Sequence, residues 1–411
     1  MYNLLFLGEV YPEKVNPTQA GNLNIFYTVS SFLKDKKYNC SFLKIELGEE
    51  NKFIKINKEK NGIFILGKII LKKKKSLHSL YSYPGKIYYK DFKEIFNLEK
   101  YNFLISVWSE FCNGLISNSN NSKFAVVGDI YKHQHPRWCK NFFLDFSNFI
   151  NFKKIFIFFT GILKIPFLKF ATIKLIKNFN GFVLINFYNY NYFKLYKNKN
   201  IFYIPNMWTY KKNIKKINLK KEAKIILSLG LIRRTGNLLA INYFFKKIYS
   251  QLLKEMLIRN NYEFHIFGDK NIPKNILLFL DDKIKVRGYV RDINREFDTA
   301  FLMLNLNSID KNFPISNTRI LHAWSHGLPV ICHKNQALAM PELIHRKNIL
   351  LAEDESDFIS MINLLTNDSN LRLRIINNSL KTLNKYYNIK KNSSIIKESF
   401  DKTFFQQIGK I

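Results

Sequence analysis

Short apolar runs alternate with amphipathic stretches along nearly the whole chain, and this alternation is its main structural signal. Leu4–Leu7, Ser41–Ile45, Phe103–Val107, Phe124–Val127, Gly181–Ile185, Ile201–Ile204, Ile225–Leu229, Glu263–Phe267, Ile284–Arg287, Leu302–Leu306, Val330–Cys332 and Ile349–Leu351 have the length and apolar character of buried strands. Apolar residues at helical spacing fill many intervals and predict helices over Asn22–Lys34, Leu238–Arg259, Ile293–Ala300, Asn317–Ser325 and Asp354–Leu365. Strands alternating with helices predict the α/β class, with parallel sheets covered on both faces. The series restarts near residue 222, after Ile204-Pro205-Asn206 and a lysine-rich polar stretch, Lys211 to Glu222. We therefore expect one doubly wound domain at 1–207 and a second at 208–390. The tail, 391–411, carries a helical pattern (Ile395, Ile396, Phe400, Phe404, Phe405) and is expected to pack back toward the first domain. Ligands of open α/β sheets sit beyond the carboxyl ends of the strands, so two such domains predict a central cleft between them.

Length agrees with this division, since 411 residues exceed one ordinary core. The net charge of +34 has two readings. One is a polyanionic partner, such as nucleic acid or an anionic membrane. The other is codon usage, because the chain is crowded with Lys, Asn, Ile and Phe, all spelled with A/T-rich codons. Cys40, Cys112, Cys139 and Cys332 form no C-x-x-C pair and read as reduced thiols of a cytoplasmic protein. No signal peptide opens the sequence, and no apolar run reaches the length of a spanning helix.

Residues 316–332, Ser-Asn-Thr-Arg-Ile-Leu-His-Ala-Trp-Ser-His-Gly-Leu-Pro-Val-Ile-Cys, carry the most chemistry. A polar turn opens a helix, Gly327 ends it, and Pro329 leads into a strand. The start of such a helix offers unpaired N–H groups and a positive dipole end, a ready anion site. Asn317, Thr318 and Arg319 would hold a diphosphate there, with the guanidinium adding a charged fork. A second turn, Ser228 to Asn237, places Gly230, Arg233 and Arg234 between a strand and a helix, where backbone and charge can meet phosphate. Phe267-Gly268-Asp269 and Arg287-Gly288-Tyr289-Val290 also end strands with glycine, and Tyr289 could stack on a base.

In order and spacing, these pieces resemble the C-terminal half of nucleotide-sugar-dependent glycosyltransferases of the retaining "group 1" type, with the GT-B architecture of two Rossmann-like domains facing a central cleft. Ile204-Pro205-Asn206 resembles the interdomain I-P-N. Gly230 to Phe244 resembles the strand–Gly turn, in the variant where an Asn (Asn237) precedes a helix ending in an aromatic pair. Gly288-Tyr289-Val290 resembles G-x-V, Thr318 to Val330 resembles T-R-I-L-E-A-W-A-x-G-L-P-V, and Asn348 to Leu351 resembles N-x-L-L. The resemblance covers roughly residues 200–385. Two positions depart from it. Pro314 and His322 stand where the family carries glutamates, the second of which holds the nucleotide ribose. One ring nitrogen of His322 could replace part of that contact.

The resemblance implies transfer of a sugar from a nucleotide-diphosphate donor to an acceptor hydroxyl, with retention and without a metal or other cofactor. Gly21 would face the donor phosphates from the first domain. Asp129, His133 and His135 are candidates for the group that approaches the donor sugar, and the sequence does not choose among them. A metal reading of His133-x-His135 lacks a second ligand cluster. The alternative is a catalytically silent domain of the same fold, acting as a binding or scaffold protein.

Charge is also unevenly placed. From 146 to 221 there are 15 lysines and no acidic residue. Phe149–Lys177 alternates Phe, Ile and Leu clusters with lysines, a pattern of helices on an anionic membrane surface, or of core-facing helices with solvated lysines. No nucleic-acid-binding module is present, and the stretch lacks arginine. The partners expected are therefore a nucleotide sugar, a glycan or lipid-linked acceptor and an anionic membrane surface, with no nucleic acid. The process expected is surface polysaccharide or glycolipid synthesis at the inner face of the membrane.

Overall fold

The fold is described from a computed structural model. It describes residues 1–13, 20–74, 83–130, 152–197, 200–209, 224–232, 235–252, 262–268, 270, 272–312 and 314–405. The chain divides into two compact units, one of Met1–His135, Phe159–Trp208 and Ile389–Ile411, the other of Pro136–Phe158 and Thr209–Asn388.

The first unit is built on an eight-stranded sheet of β1 (Tyr2–Gly8), β2 (Tyr38–Gly48), β3 (Lys52–Lys60), β4 (Ile63–Lys72), β5 (Phe103–Val107), β6 (Ser122–Val127), β7 (Gly181–Leu184) and β8 (Ile201–Tyr203). The order is β3-β4-β2-β1-β5-β6-β7-β8, all parallel except β3, which pairs antiparallel with β4. The helices are α1 (Ala20–Leu33), α2 (Tyr89–Ile95), α3 (Glu110–Ile116), α4 (Phe152–Asn178, of which the part from Phe159 on belongs to this unit) and α5 (Phe187–Lys194). Alternate residues of β1 serve opposite cores: Leu5 and Leu7 on one face, Leu4 and Phe6 on the other. That two-sided burial explains the unbroken apolar run. The β3–β4 hairpin was not expected, because β3 reads Lys-Phe-Ile-Lys-Ile-Asn-Lys-Glu-Lys and is mostly exposed. Lysines on an edge strand suit a strand that must not recruit another. The terminal helix, Ile389–Phe404, packs on this unit. Phe400 meets Phe32 and Phe124 edge-on, and Lys397 bridges Asp35 at 2.8 Å and Asp401 at 2.7 Å.

The second unit has a fully parallel six-stranded sheet of β9 (Lys224–Leu229), β10 (Glu263–Phe267), β11 (Ile284–Gly288), β12 (Leu302–Asn305), β13 (Val330–His333) and β14 (Leu350–Ala352), ordered β11-β10-β9-β12-β13-β14. Its helices are α6 (Thr235–Tyr243, continued by a wide π-type stretch, Phe244–Tyr249), α7 (Lys274–Leu277), α8 (Ile293–Thr299), α9 (Thr318–Ser325), α10 (Glu355–Asn367) and α11 (Ser369–Tyr386), with the terminal helix as α12. The chain builds β9, β10 and β11 outward, then returns to β12 on the other side of β9. The strand order therefore reverses between β9 and β12. At such a switch point the connecting loops diverge, leaving a crevice at the carboxyl ends.

Candidate donor site in the second unit

Helix α9 starts at that crevice. Asn317 caps it, its side chain accepting from the Arg319 N–H at 3.0 Å, while its amide donates to Asn305 Oδ1 at the end of β12 at 2.9 Å. From the first turn, Arg319 reaches across the switch point and donates from Nη1 to Asn237 Oδ1 at 2.8 Å. Asn237 is buried at the start of α6 and tied to the β9 turn, donating to the carbonyls of Leu229 (3.2 Å) and Leu231 (2.8 Å) and accepting from Asn307 (3.2 Å). The two ends of the crevice are thus joined through one side-chain amide. A guanidinium nitrogen lies 3.7 Å from where a side chain on Gly230 would begin, so the glycine turn and the charge share one space. Asn317, Thr318, Arg319 and Gly230, all expected at the diphosphate, are brought together; Arg233 and Arg234 lie outside the described residues.

The carboxyl ends of β9, β10 and β11 form a ladder of glycines. Gly230, Gly268 and Gly288 have φ of 89°, 106° and 67°, a region that favours glycine. The Gly230 N–H donates to the Phe267 carbonyl at 2.9 Å and the Gly268 N–H to the Gly288 carbonyl at 2.7 Å. A Cβ on Gly268 would stand 2.6 Å from the Gly230 backbone. Gly268 therefore sets the floor of the turn rather than serving as an ordinary strand end.

The loop between β12 and α9, which includes Pro314, is held from below by Gln336. Its amide donates to the Ile315 carbonyl at 2.6 Å and its carbonyl accepts from Ser308 Oγ at 2.8 Å. Gln336 and the Asn237–Asn305–Asn307 set escape a sequence reading because Asn and Gln are so frequent in this chain; the spacing of Asn237 alone gave a hint.

His322 is buried, and its environment is specific. Nε2 lies 2.9 Å from Asn294 Oδ1 on α8, and the ring stacks on Phe297 at 4.3 Å. One turn on, His326 meets the His322 ring edge-on and hydrogen-bonds Asp298 at 2.6 Å. His322 and the C-cap residue His326 thus bind α9 to α8, a packing role that the sequence reading of His322 did not include. Tyr289 follows Gly288 and is 82% exposed.

In the first unit, Gly21 lies inside α1 and a side chain there would meet open space, whereas a phosphate-facing turn was expected. Helical spacing extends two residues further toward the N-terminus than the sequence suggested. The Asp129 carboxylate accepts from Asn186 Nδ2 at 2.5 Å, and Asn186 caps α5 through the N–H groups of Tyr188 and Asn189. His133 and His135 lie outside the described residues. Among the described residues no group of three or more His, Cys, Asp or Glu is placed to hold a metal ion. The sheet reverses between β1 and β5, and there Ser109 Oγ donates to Glu9 Oε2 at 2.7 Å. Beside it Trp108 has φ +55°, a conformation that bulky residues rarely adopt, and its indole N–H has no partner among the described residues. Strain at a switch point marks Trp108 and Glu9 as candidates that composition and spacing do not reveal.

Two units, each built on a sheet whose strand order reverses, give the chain the GT-B fold. Residues 223–368 match the family model of glycosyl transferases group 1, so the second unit carries that domain. No curated protein matches the chain by sequence. Among solved structures it is similar to HepE of Anabaena in complex with UDP and glucose, at 12% identity and a TM-score of 0.59, over 97% of this chain and 99% of that one. It is likewise similar to sucrose-phosphate synthase of Thermosynechococcus elongatus, at 11% identity and 0.62, over 98% and 99%. The lipopolysaccharide outer core galactosyltransferase WaaB matches at 13% and 0.54, over 98% and 99%.

Proposed function

We propose that the protein transfers a sugar from a nucleoside-diphosphate sugar to an acceptor hydroxyl, in surface polysaccharide or glycolipid assembly at the inner face of the membrane. The observation that carries the proposal is the Arg319–Asn237 bridge, which holds a cation at the start of a helix over a glycine turn. As the bond from the sugar to the diphosphate breaks, charge grows on the leaving oxygen. A fixed guanidinium and aligned N–H groups stabilise it without reorganising. Arg233 and Arg234 add charge to the same turn, Tyr289 stacks on the base, and one ring nitrogen of His322 meets the ribose. The transfer proceeds with retention and without a metal. Asp129, held by Asn186, or His133 or His135 approaches the donor sugar. The neighbour bound to UDP and glucose supports a donor of this chemical class.

Binding of UDP, GDP, ADP and CMP by calorimetry tests the reading. Saturable binding of one diphosphate, weakened in Arg319→Gln, is expected; no binding across the panel would leave the silent scaffold, which the packing of His322 on α8 favours.

The acceptor side is read from α4. Phe156, Phe159, Leu163, Phe167 and Phe170 are 41–70% exposed along one stripe, flanked by exposed Lys169, Lys174 and Lys177. Among the described residues no helix is long and apolar enough to cross a membrane. An apolar stripe bordered by lysines suits a helix lying on an anionic bilayer. Pelleting with anionic vesicles should fall steeply with salt.

A further inference from the structure

Beneath the exposed stripe of α4 lies a cavity of about 240 Å³, lined by Phe167, Phe170, Lys174, Tyr83, Lys86 and Ser117, among others. It lies at the opposite end of its own sheet from the switch-point crevice between β1 and β5. Helices that return between parallel strands run opposite to them, so the C-terminal half of α4 lies toward the amino ends of the strands, whereas the switch-point crevice lies at their carboxyl ends. Asn178, at the end of α4, donates to the Ser117 carbonyl at 3.3 Å, closing this end.

Three features mark the cavity as built for a ligand. Tyr83 is 2% exposed, yet its hydroxyl has no hydrogen-bond partner among the described residues. A buried hydroxyl left unmatched costs stability, so it asks for an acceptor. Lys86 and Lys174 flank the same space. Burial, and then the neighbouring Lys174, holds the Lys86 ammonium below the usual lysine range. Two cations that destabilise each other are relieved by an anion between them. The backbone carrying Lys86 is also fixed. Gly85 (φ +83°) would bring a Cβ within 2.0 Å of the Phe111 carbonyl, and Gly114 within 1.6 Å of the Pro84 carbonyl. The turn is therefore locked onto α3 and the lysine is presented from a rigid floor. On the outer side, Phe167 and Phe170 continue the apolar stripe without a break.

We propose that this cavity binds the phosphate of an anionic amphiphile, with Lys86, Lys174 and the Tyr83 hydroxyl on the phosphate oxygens and the apolar chain laid along Phe167 and Phe170. The volume is below the roughly 300–1,000 Å³ of pockets that enclose drug-sized ligands, which suits a headgroup rather than a sugar nucleotide. The inference rests on the reading of α4 as a membrane-facing helix and adds a defined site to it.

The test uses the full chain and a fluorescent short-chain phosphatidic acid, kept below its aggregation threshold and followed by anisotropy. Saturable binding is expected, weakened at least tenfold in Lys86→Gln/Lys174→Gln and severalfold in Tyr83→Phe. Lys169→Gln/Lys177→Gln, which removes the same amount of charge but from outside the cavity, should leave it nearly unchanged, and circular dichroism should be alike in all. Equal weakening in both double variants, or no saturable binding, would overturn the proposal. Inorganic phosphate is the second arm. It should compete only at far higher concentration; competition at equal concentration would assign the cavity to a free phosphate and overturn the lipid. Binding to anionic vesicles without binding to the monomeric amphiphile would leave the membrane reading standing and remove the cavity.

Discussion

Arg319 and Asn237 lie 82 positions apart and meet at 2.8 Å, guanidinium to amide oxygen, across the point where the second sheet reverses. The bond aims a flexible side chain at the Gly230 turn, so the cation is in place before a ligand arrives. Losing a charge-assisted hydrogen bond costs about 1.5–3 kcal/mol, or roughly ten- to hundredfold in affinity. Arg319→Gln should weaken nucleoside diphosphate binding by that range in calorimetry. Arg319→Lys should recover little, because an ammonium cannot both fork and reach Asn237. Full affinity in Arg319→Lys would show that only the charge matters.

Gly268→Ala and Gly21→Ala should behave in opposite ways. At Gly268 a methyl group meets the Gly230 backbone at 2.6 Å, and φ is +106°, so the turn must shift. The expected result is a lower melting temperature together with lost diphosphate binding. At Gly21 a methyl group meets nothing and lies in a helix, where alanine is better than glycine by about 0.5–1 kcal/mol. Gly21→Ala should leave melting and binding unchanged or slightly improved. Lost binding in Gly21→Ala would show the phosphate-facing role that the sequence suggested.

What the sequence made legible follows from the kind of interaction each element uses. Strands such as Leu4–Leu7 and Glu263–Phe267 are buried on both faces, so the apolar run itself carries the information. The edge strand Lys52–Lys60 is held by its backbone pairing and shows no such run. In the candidate donor site, Gly230, Asn317 and Arg319 were visible because local backbone geometry requires them near a strand–turn–helix. Gln336 and Asn307 act across long separations through side-chain amides, and nothing local distinguishes them from other amides. Trp108 was invisible for another reason: its left-handed backbone is set by packing around it, not by its own preference. His322 was visible as a departure from a motif, but its partners Asn294 and Phe297 come from another helix, so its packing role was not.

The contact of His322 with α8 allows stability and ribose recognition to be separated. His322→Ala removes a buried hydrogen bond to Asn294 and a stacked ring on Phe297. The cost should be about 1–3 kcal/mol, measured by urea unfolding. A ribose contact predicts more: UDP affinity should fall in His322→Ala while pyrophosphate affinity, measured at a temperature where both proteins are folded, stays the same. Parallel loss for the two ligands would mean that His322 acts only through the position of α9. His322→Glu should test whether a carboxylate is accepted beside Asn294; unfolding of this variant would show that α8 has been fitted to the imidazole.

Acid should destabilise the second unit well before its carboxylates titrate. His265 and His333 are both held below the ordinary histidine range, in each case chiefly by burial. For His265 the neighbouring Glu263 opposes this in part, and His333 accepts the Asn335 N–H at Nδ1, a bond that requires the neutral ring. A base with a depressed folded-state pKa binds its proton more readily when unfolded. Its contribution to stability is therefore present above about pH 6.5, the unfolded value, and is lost as pH falls. The urea midpoint should drop between pH 7.5 and 5, a window above the carboxylate range. His333→Asn keeps a good helix cap but cannot take up the proton, so it should flatten part of that dependence. A midpoint constant across the window, or one that rises toward pH 5, would show that neither ring is held neutral by the fold.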